Sequence, residues 1–232
     1  MNEDQAALEK FDGTVRLFPL PGMVIYPQSI QPLHIFEHRY RQLTADALAS
    51  DRLIALTMLQ PGWEEKYDQC PAICQVGCLG RIVADQLLPD GRYHLILRGL
   101  ARVRTLDELP TEKLYRLANV EVLTDVATDD IDELMTLRTA LADVILPRIS
   151  SGPIREHLNE FFHGELSLGP LCDVLAFSLP LSPEVRQELL EEVDVTARAR
   201  RLMEACRAIV AGAGSKSETA SGRRFPPDFS SN

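Results

Sequence analysis

The sequence predicts an α+β chain: a β-rich first half carrying one inserted helix, then a C-terminal helical bundle. Three observations carry this. Short, turn-punctuated apolar segments run from Thr14 to about Thr124. Beyond Asp130 the apolar spacing changes from two to three and four, the change from strand to helix. Helix-start and helix-stop residues then recur, among them Ser182-Pro183 and Gly169-Pro170.

The opening stretch, Leu17-Phe18-Pro19-Leu20-Pro21-Gly22-Met23-Val24-Ile25-Tyr26-Pro27, is apolar and punctuated by proline. Proline lacks a backbone donor and pushes the residue before it toward extended conformations, so Leu20, Tyr26 and Gln31 are poor helix positions. Val15–Leu17 and Val24–Tyr26 read as opening strands, an amphipathic helix follows over about Glu37 to Ala49, and Leu53–Leu59 is a further strand. Leu88-Pro89-Asp90-Gly91-Arg92 is a tight reversal that pairs Gln75–Ala84 antiparallel with Arg92–Leu97. Ala118, Val120 and Val122 alternate with Asn119 and Glu121, a strand with one buried face.

In the second half, Leu134, Leu137, Leu141, Val144 and Ile145 form a helical stripe, with Asp129 or Asp130 as cap and Pro147 at its end. Further helices are expected over Pro153–Phe162 and Leu171–Phe177, separated by Gly164 and Gly169-Pro170. Ser182-Pro183-Glu184 starts another, with Val185, Leu189 and Leu190 inward. Asp194 caps the last, whose inner stripe is Val195, Ala199, Leu202, Cys206 and Ile209 and whose arginines, Arg198, Arg200, Arg201 and Arg207, are assigned to a solvated face. The expected units are 1–13 flexible, 14–124 β-rich, 125–211 helical and 212–232 a flexible tail, where burial is too sparse to offset ordering entropy.

Composition narrows function. At 232 residues and 45% hydrophobic content the chain can bury a core. Its formal charge is −10, and the segment from Gly212 carries +1, so the remainder is distinctly acidic, which disfavours phosphate backbones and anionic membranes. Residues 1–10 lack the features of a secretory signal, and no apolar run approaches the roughly 20 residues of a membrane span. Five cysteines suit reduced thiols, so a soluble, cytoplasmic protein is expected.

Three segments resemble the Lon protease N-terminal domain, also called the LON substrate-binding domain, especially its stand-alone bacterial relatives. They are Leu17–Pro27 with Pro32-Leu33-His34-Ile35-Phe36-Glu37-His38-Arg39-Tyr40-Arg41; Val76–Val83 with the Pro89–Arg92 turn and the Gly99-x-x-Arg102 ending; and Leu179–Glu191. The resemblance implies a β-rich pseudo-barrel similar to PUA-like domains, followed by a helical bundle. Gln28 stands where the family commonly has glycine, and His38 where proline is usual. Full Lon proteases add ATPase and Ser-Lys protease modules. This sequence contains no G-x-x-x-x-G-K-[ST] phosphate loop, and Ser215-Lys216 lies in the expected tail. The resemblance therefore implies a non-enzymatic, ATP-independent protein that needs no cofactor and binds unfolded or extended polypeptide or a protein partner, as an adaptor or regulator.

Candidate polypeptide-binding residues are the aromatics Phe18, Tyr26, Phe36, Tyr40 and Trp63, set against their ordinary use as core. His34-Ile35-Phe36-Glu37-His38 matches H-x-x-E-H, which would suit a zinc hydrolase, but Pro32 keeps His34 ahead of the helix. Cys70, Cys74 and Cys78 have C-x₃-C spacing; on an extended segment Cys74 and Cys78 lie about 13 Å apart, so core packing is favoured over chelation. RNA binding through a PUA-like surface is the alternative, and it requires a basic groove hidden in the acidic total.

Overall fold

The computed structural model describes residues 3–67, 70–148 and 152–213. Helix α1 (Glu3–Glu9) precedes strands β1 (Thr14–Leu20) and β2 (Ile30–Ile35), helix α2 (His38–Leu48) and strand β3 (Leu53–Met58). A 3₁₀ turn at Trp63–Lys66 leads to β4 (Val76–Leu87), β5 (Tyr93–Leu109) and β6 (Arg116–Leu123). The strands form one sheet in the order β2-β5-β4-β3-β1-β6, and β5 also pairs with β6. Strands β1, β3, β4, β5 and β6 thus close into a ring, and β2 extends from it along β5. Closure depends on the 17-residue β5, whose first half pairs with β2 and second half with β6 while β4 runs along its other edge. Register shifts at Leu79/Gly80, Ile82/Ala84 and Thr105/Asp107 supply the bends this demands.

Alternation along the strands sorts side chains between two cores. Val15 and Leu17, Leu53 and Ala55, Leu79, Val103, and Ala118 with Val120 form one cluster, drawn from all five ring strands, and fill the lumen. The opposite faces, including Phe18, Ile54, Leu56, Ile82 and Leu97, pack under Tyr40, Leu43 and Ala47 of α2. His38 is the first residue of α2, a position where proline is well tolerated because its amide has no intrahelical partner.

The hairpin forms as the sequence predicts. Leu88 accepts from Gly91 N–H and donates to Arg92, and Gly91 takes the left-handed φ of +79° that a side chain would oppose. One expectation in the first half is corrected. Val24–Tyr26 pairs with no strand, and Ser29 Oγ and N–H both engage the Tyr26 carbonyl and fold the chain that follows into a turn. That carbonyl lies so close to β5 that a Cβ on Gly99 would sit 2.0 Å from it. Residues 3–9 form α1, tied to the barrel through Asp4.

The helical half comprises α3 (Ile131–Ile145), α4 (Pro153–His163), α5 (Leu168–Ser178), α6 (Pro183–Glu191) and α7 (Val195–Ala213). Asp130 caps α3 by accepting from Glu133 N–H, and Ser182 and Asp194 cap α6 and α7 in the same way. Gly169-Pro170, expected between helices, lies in the first turn of α5, where proline costs no intrahelical hydrogen bond. Arg138 of α3 donates to the carbonyls of Phe161, Phe162 and Gly164, satisfying the free end of α4. Bundle and barrel share one core, in which Val24, Tyr26, Met58 and Val76 meet Leu171, Leu175, Leu189 and Leu202. The expected tail, with Ser215-Lys216, lies outside the described residues from 214 onward, as does the side chain of Ile209.

Candidate functional site

Among the described residues, β2 pairs with β5 on one edge and with nothing on the other. Gly99 N–H donates to the Ser29 carbonyl, and Ile30 faces Arg98, so alternation turns the amide groups of residues 31, 33 and 35 toward β5 and those of 30, 32 and 34 outward. Pro32 fits this phase, since its missing N–H falls on the open side. The Pro32 carbonyl accepts from the side chain of Gln31. The open edge therefore offers the N–H groups of Ile30 and His34 and the carbonyls between them.

The outer face beside this edge is apolar and cross-strand ordered. Pro32, Ile96 and Ala84 form one row across β2, β5 and β4, and His34, His94 and Gln86 form the next. Together they line an open depression of about 550 Å³. The imidazoles of His34 and His94 lie 4.9 Å apart, His34 stacks on Phe36 at 6.1 Å, and Arg92 Nη1 approaches His34 Nε2 to 3.4 Å.

The five aromatic candidates separate. Phe18 and Tyr40 are buried edge-to-face at 4.5 Å, with Tyr40 Oη donating to the Pro19 carbonyl. Tyr26 is buried where barrel meets bundle and donates to the Arg186 carbonyl. Burial raises the phenol pKa of both. Phe36 and Trp63 are half-buried. Trp63 meets Tyr67 at 5.5 Å, and the guanidinium of Arg39 lies 4.7 Å from the rings of both Tyr67 and Tyr40. Glu37 fixes this corner by accepting from Arg39 and, at 2.8 Å, from Tyr67 Oη. Burial, and then Glu37, push the Tyr67 phenol up to about 12. Arg39 and Tyr67 escaped the sequence reading; their only signal was position beside Tyr40 and Trp63.

The H-x-x-E-H residues do not converge. His34 is on the open sheet face, Glu37 is engaged by Arg39 and Tyr67, and His38 begins α2. Cys70 is exposed, Cys74 half-buried and Cys78 buried, and burial pushes the Cys78 thiol up to about 12. Among the described residues, no group of three or more His, Cys, Asp or Glu is placed to hold a metal ion.

A second constellation was missed. Asp173 of α5 accepts from Arg102 of β5 at 3.0 and 2.6 Å, and Arg198 of α7 lies 3.5 Å from the same carboxylate. Asp125, on the connection into the bundle, bonds Arg198 and lies 3.4 Å from Arg102. Arg198, assigned from sequence to a solvated face, is instead 0% exposed, because α7 packs that turn against α5 and the Asp125 connection. Sequence did carry a signal for Asp173, the lone charge in the apolar run Leu168–Phe177. Arg102 Nε also donates to the Leu190 carbonyl, so the cluster binds barrel to helices.

Elsewhere on the barrel, arginines face acids. Arg16 pairs with Asp51, Arg52 with Asp85, Arg92 with Asp90, Arg104 with Glu121 and Arg116 with Glu108. Such pairing leaves no support here for a phosphate-binding stripe. No helix among the described residues is long and apolar enough to cross a membrane.

A ring barrel with an open accessory strand, locked to a helical bundle through a buried Asp-Arg cluster, defines the class, and comparison with known proteins gives the family. The ATP-dependent protease La (LON) substrate-binding domain matches residues 14–207, and the chain belongs to that family. The Lon protease of Dictyoglomus thermophilum is 31% identical over 188 residues, which cover 80% of this chain and 23% of that protein. The Lon protease of Desulfosudis oleivorans is 28% identical over 195 residues, 84% of this chain and 24% of the relative. The chain thus spans about a quarter of the length of these relatives. Among solved structures, the N-terminal domain of the Mycobacterium avium complex Lon protease superposes with a TM-score of 0.66 at 17% identity, covering 84% of this chain and 98% of that one. The Lon N-terminal domain protein from Xanthomonas campestris gives 0.59 at 25% identity, covering 82% and 97%.

Proposed function

We propose that this domain binds extended or unfolded polypeptide segments, acting without catalysis as an adaptor or regulatory module in the cytoplasm. The observation that carries the reading is the open edge of β2, which presents outward amide groups beside an apolar, cross-strand ordered face. An added strand would take its main-chain hydrogen bonds from Ile30 and His34, and its alternate side chains would lie beside Pro32 and His34, at the margin of the face that Ile96 and Ala84 continue. Phe36, stacked on His34, and Trp63 with Tyr67 supply further contact area. Phe18 and Tyr40 share the core beneath β2 and β5 with Leu33 and Leu95, whereas Tyr26 is buried at the junction with the bundle, away from this surface. Membership in a substrate-binding domain family supports the same reading.

The chain contains one tryptophan, so emission of Trp63 reports binding directly. Titration with a reduced, carboxymethylated protein is expected to give a saturable change, and the same protein in its native fold to give none. His34→Pro removes one outward N–H without touching the β2–β5 hydrogen bonds, and should weaken binding by about three- to tenfold, the worth of one hydrogen bond. Equal affinity for folded and unfolded forms would reject the proposal.

A further inference from the structure

Arg81 of β4 and Arg98 of β5 stand directly opposite each other in the sheet register. Like charges so placed repel unless an anion lies between them. Asp4 of α1 is that anion. Its Oδ1 accepts from Arg81 Nε at 2.8 Å and Nη2 at 2.6 Å, and its Oδ2 from Arg98 Nη1 at 3.1 Å, while Glu3 lies 3.1 Å from Arg81 Nη1. Burial opposes ionisation of Asp4, but these hydrogen bonds and charges hold its carboxyl below the usual range. From Asp4 the same helical face continues to Ala7 and Leu8, and Phe11 follows in the turn after α1, all three packed against the lumen cluster of the barrel. Gln28, Ile30, Gly99 and Leu100 line a depression of about 580 Å³ beside Asp4 and Leu8.

Three features mark α1 as an occupant of this surface. None of its side chains is fully buried, and at seven residues it falls below the roughly 12–15 at which a helix persists on its own. It also precedes residue 14, where the family match begins. What holds it is a paired-arginine receptor for one carboxylate, an apolar barrel mouth, and a short tether that keeps its local concentration high.

We propose that the Arg81–Arg98 pair and the adjoining barrel mouth form a docking site for an acidic amphipathic helix of another protein, and that α1 occupies this site in cis as its competitor. The segment recognised carries an acid followed at +3, +4 and +7 by a small, an aliphatic and an aromatic residue, the pattern of Asp4, Ala7, Leu8 and Phe11. A partner must displace α1, so its apparent affinity falls by the fraction of chains in which α1 is open. The proposal differs from polypeptide binding at the β2 edge in its receptor, the arginine pair, although Ile30 borders both sites.

The test uses the full chain carrying Asp4→Lys and Leu8→Ser, which opens α1, and a fluorescent peptide of residues 1–13 followed by anisotropy. The opened chain should bind the peptide saturably, and the unsubstituted chain at least about tenfold more weakly. Adding Arg81→Glu to the opened chain should cost about tenfold or more, the worth of a charge-assisted hydrogen bond, as should Asp4→Ala in the peptide. A folded, opened chain that binds nothing, or binds regardless of Arg81, overturns the proposal. An opened chain that fails to fold overturns it too, since a displaceable occupant cannot be required for the barrel. In the unsubstituted chain, amide exchange of α1 should be faster than that of β4 and β5; equal protection would contradict an occupant that opens by itself.

Discussion

Replacing Asp173 by alanine removes the carboxylate that two buried guanidinium groups share. Asp173 is 3% exposed, and Arg102 and Arg198 are 2% and 0% exposed, so neither arginine can turn to water without unpacking the junction of β5 with α5 and α7. The substitution deletes two hydrogen bonds from Arg102 and a close approach from Arg198. Charge-assisted hydrogen bonds contribute about 1.5–3 kcal/mol each, and stranding a buried charge costs about 3–5 kcal/mol. Asp125 stays within 3.4 Å of Arg102 and remains bonded to Arg198, which softens the loss. D173A should therefore destabilise the fold by about 3 kcal/mol. Urea unfolding followed by circular dichroism measures this as a lowered midpoint at unchanged slope. The double variant R102M/D173L, which removes both charges and keeps apolar volume, should recover to within about 1 kcal/mol of the parent. A loss below about 1 kcal/mol for D173A, or a double variant no better than the single one, would refute mutual compensation within the cluster.

Three further outcomes follow from single residues. Gln28 holds a left-handed φ of +66°, so Gln28→Gly should raise stability by about 0.5–1 kcal/mol, seen as a higher thermal midpoint; a lower one would contradict strain at this turn. In native protein a thiol reagent should label Cys70 at once and Cys74 slowly, while Cys78, Cys172 and Cys206 stay protected until denaturation; burial holds the Cys78 and Cys172 thiols near 12, and early labelling of either would contradict their placement. Because the folded-state pKa of Asp4 is lowered, docking of α1 is fully present above about pH 4 and is lost as pH falls through that lowered value. Pulsed amide exchange should show α1 protection fading there before that of the barrel.

Local chemistry made much of the fold legible in the sequence. Alternation at Ala118 and Val120, the Asp90-Gly91 turn and the caps at Asp130, Ser182 and Asp194 each dictate structure through groups within a few residues. The errors arose where partners are distant in sequence. Arg198 looked solvated because the acids nearest in sequence, Glu191, Glu192 and Asp194, masked its contacts with Asp125 and Asp173. Val24–Tyr26 has strand composition, yet the close approach of its Tyr26 carbonyl to distant Gly99, together with a local turn through Ser29, leaves it unpaired. The contacts of α1 are equally distant: Asp4 meets Arg81 and Arg98 from two strands, and Ala7 and Leu8 pack on the barrel cluster. The candidate site was partly legible for a similar reason. Aromatic identity marked Phe36 and Trp63, but the outward phase of β2 and the row of Pro32, Ile96 and Ala84 exist only once β2, β5 and β4 are in register.

The most direct measurement is residue-resolved amide exchange of the full chain with and without a saturating reduced, carboxymethylated polypeptide. Strand addition predicts slowed exchange at Ile30 and His34, whose N–H groups point outward, with little change at β5 amides already bonded to β2. Saturable binding that leaves both amides unprotected, or no saturable binding at all, would contradict recognition at the open edge.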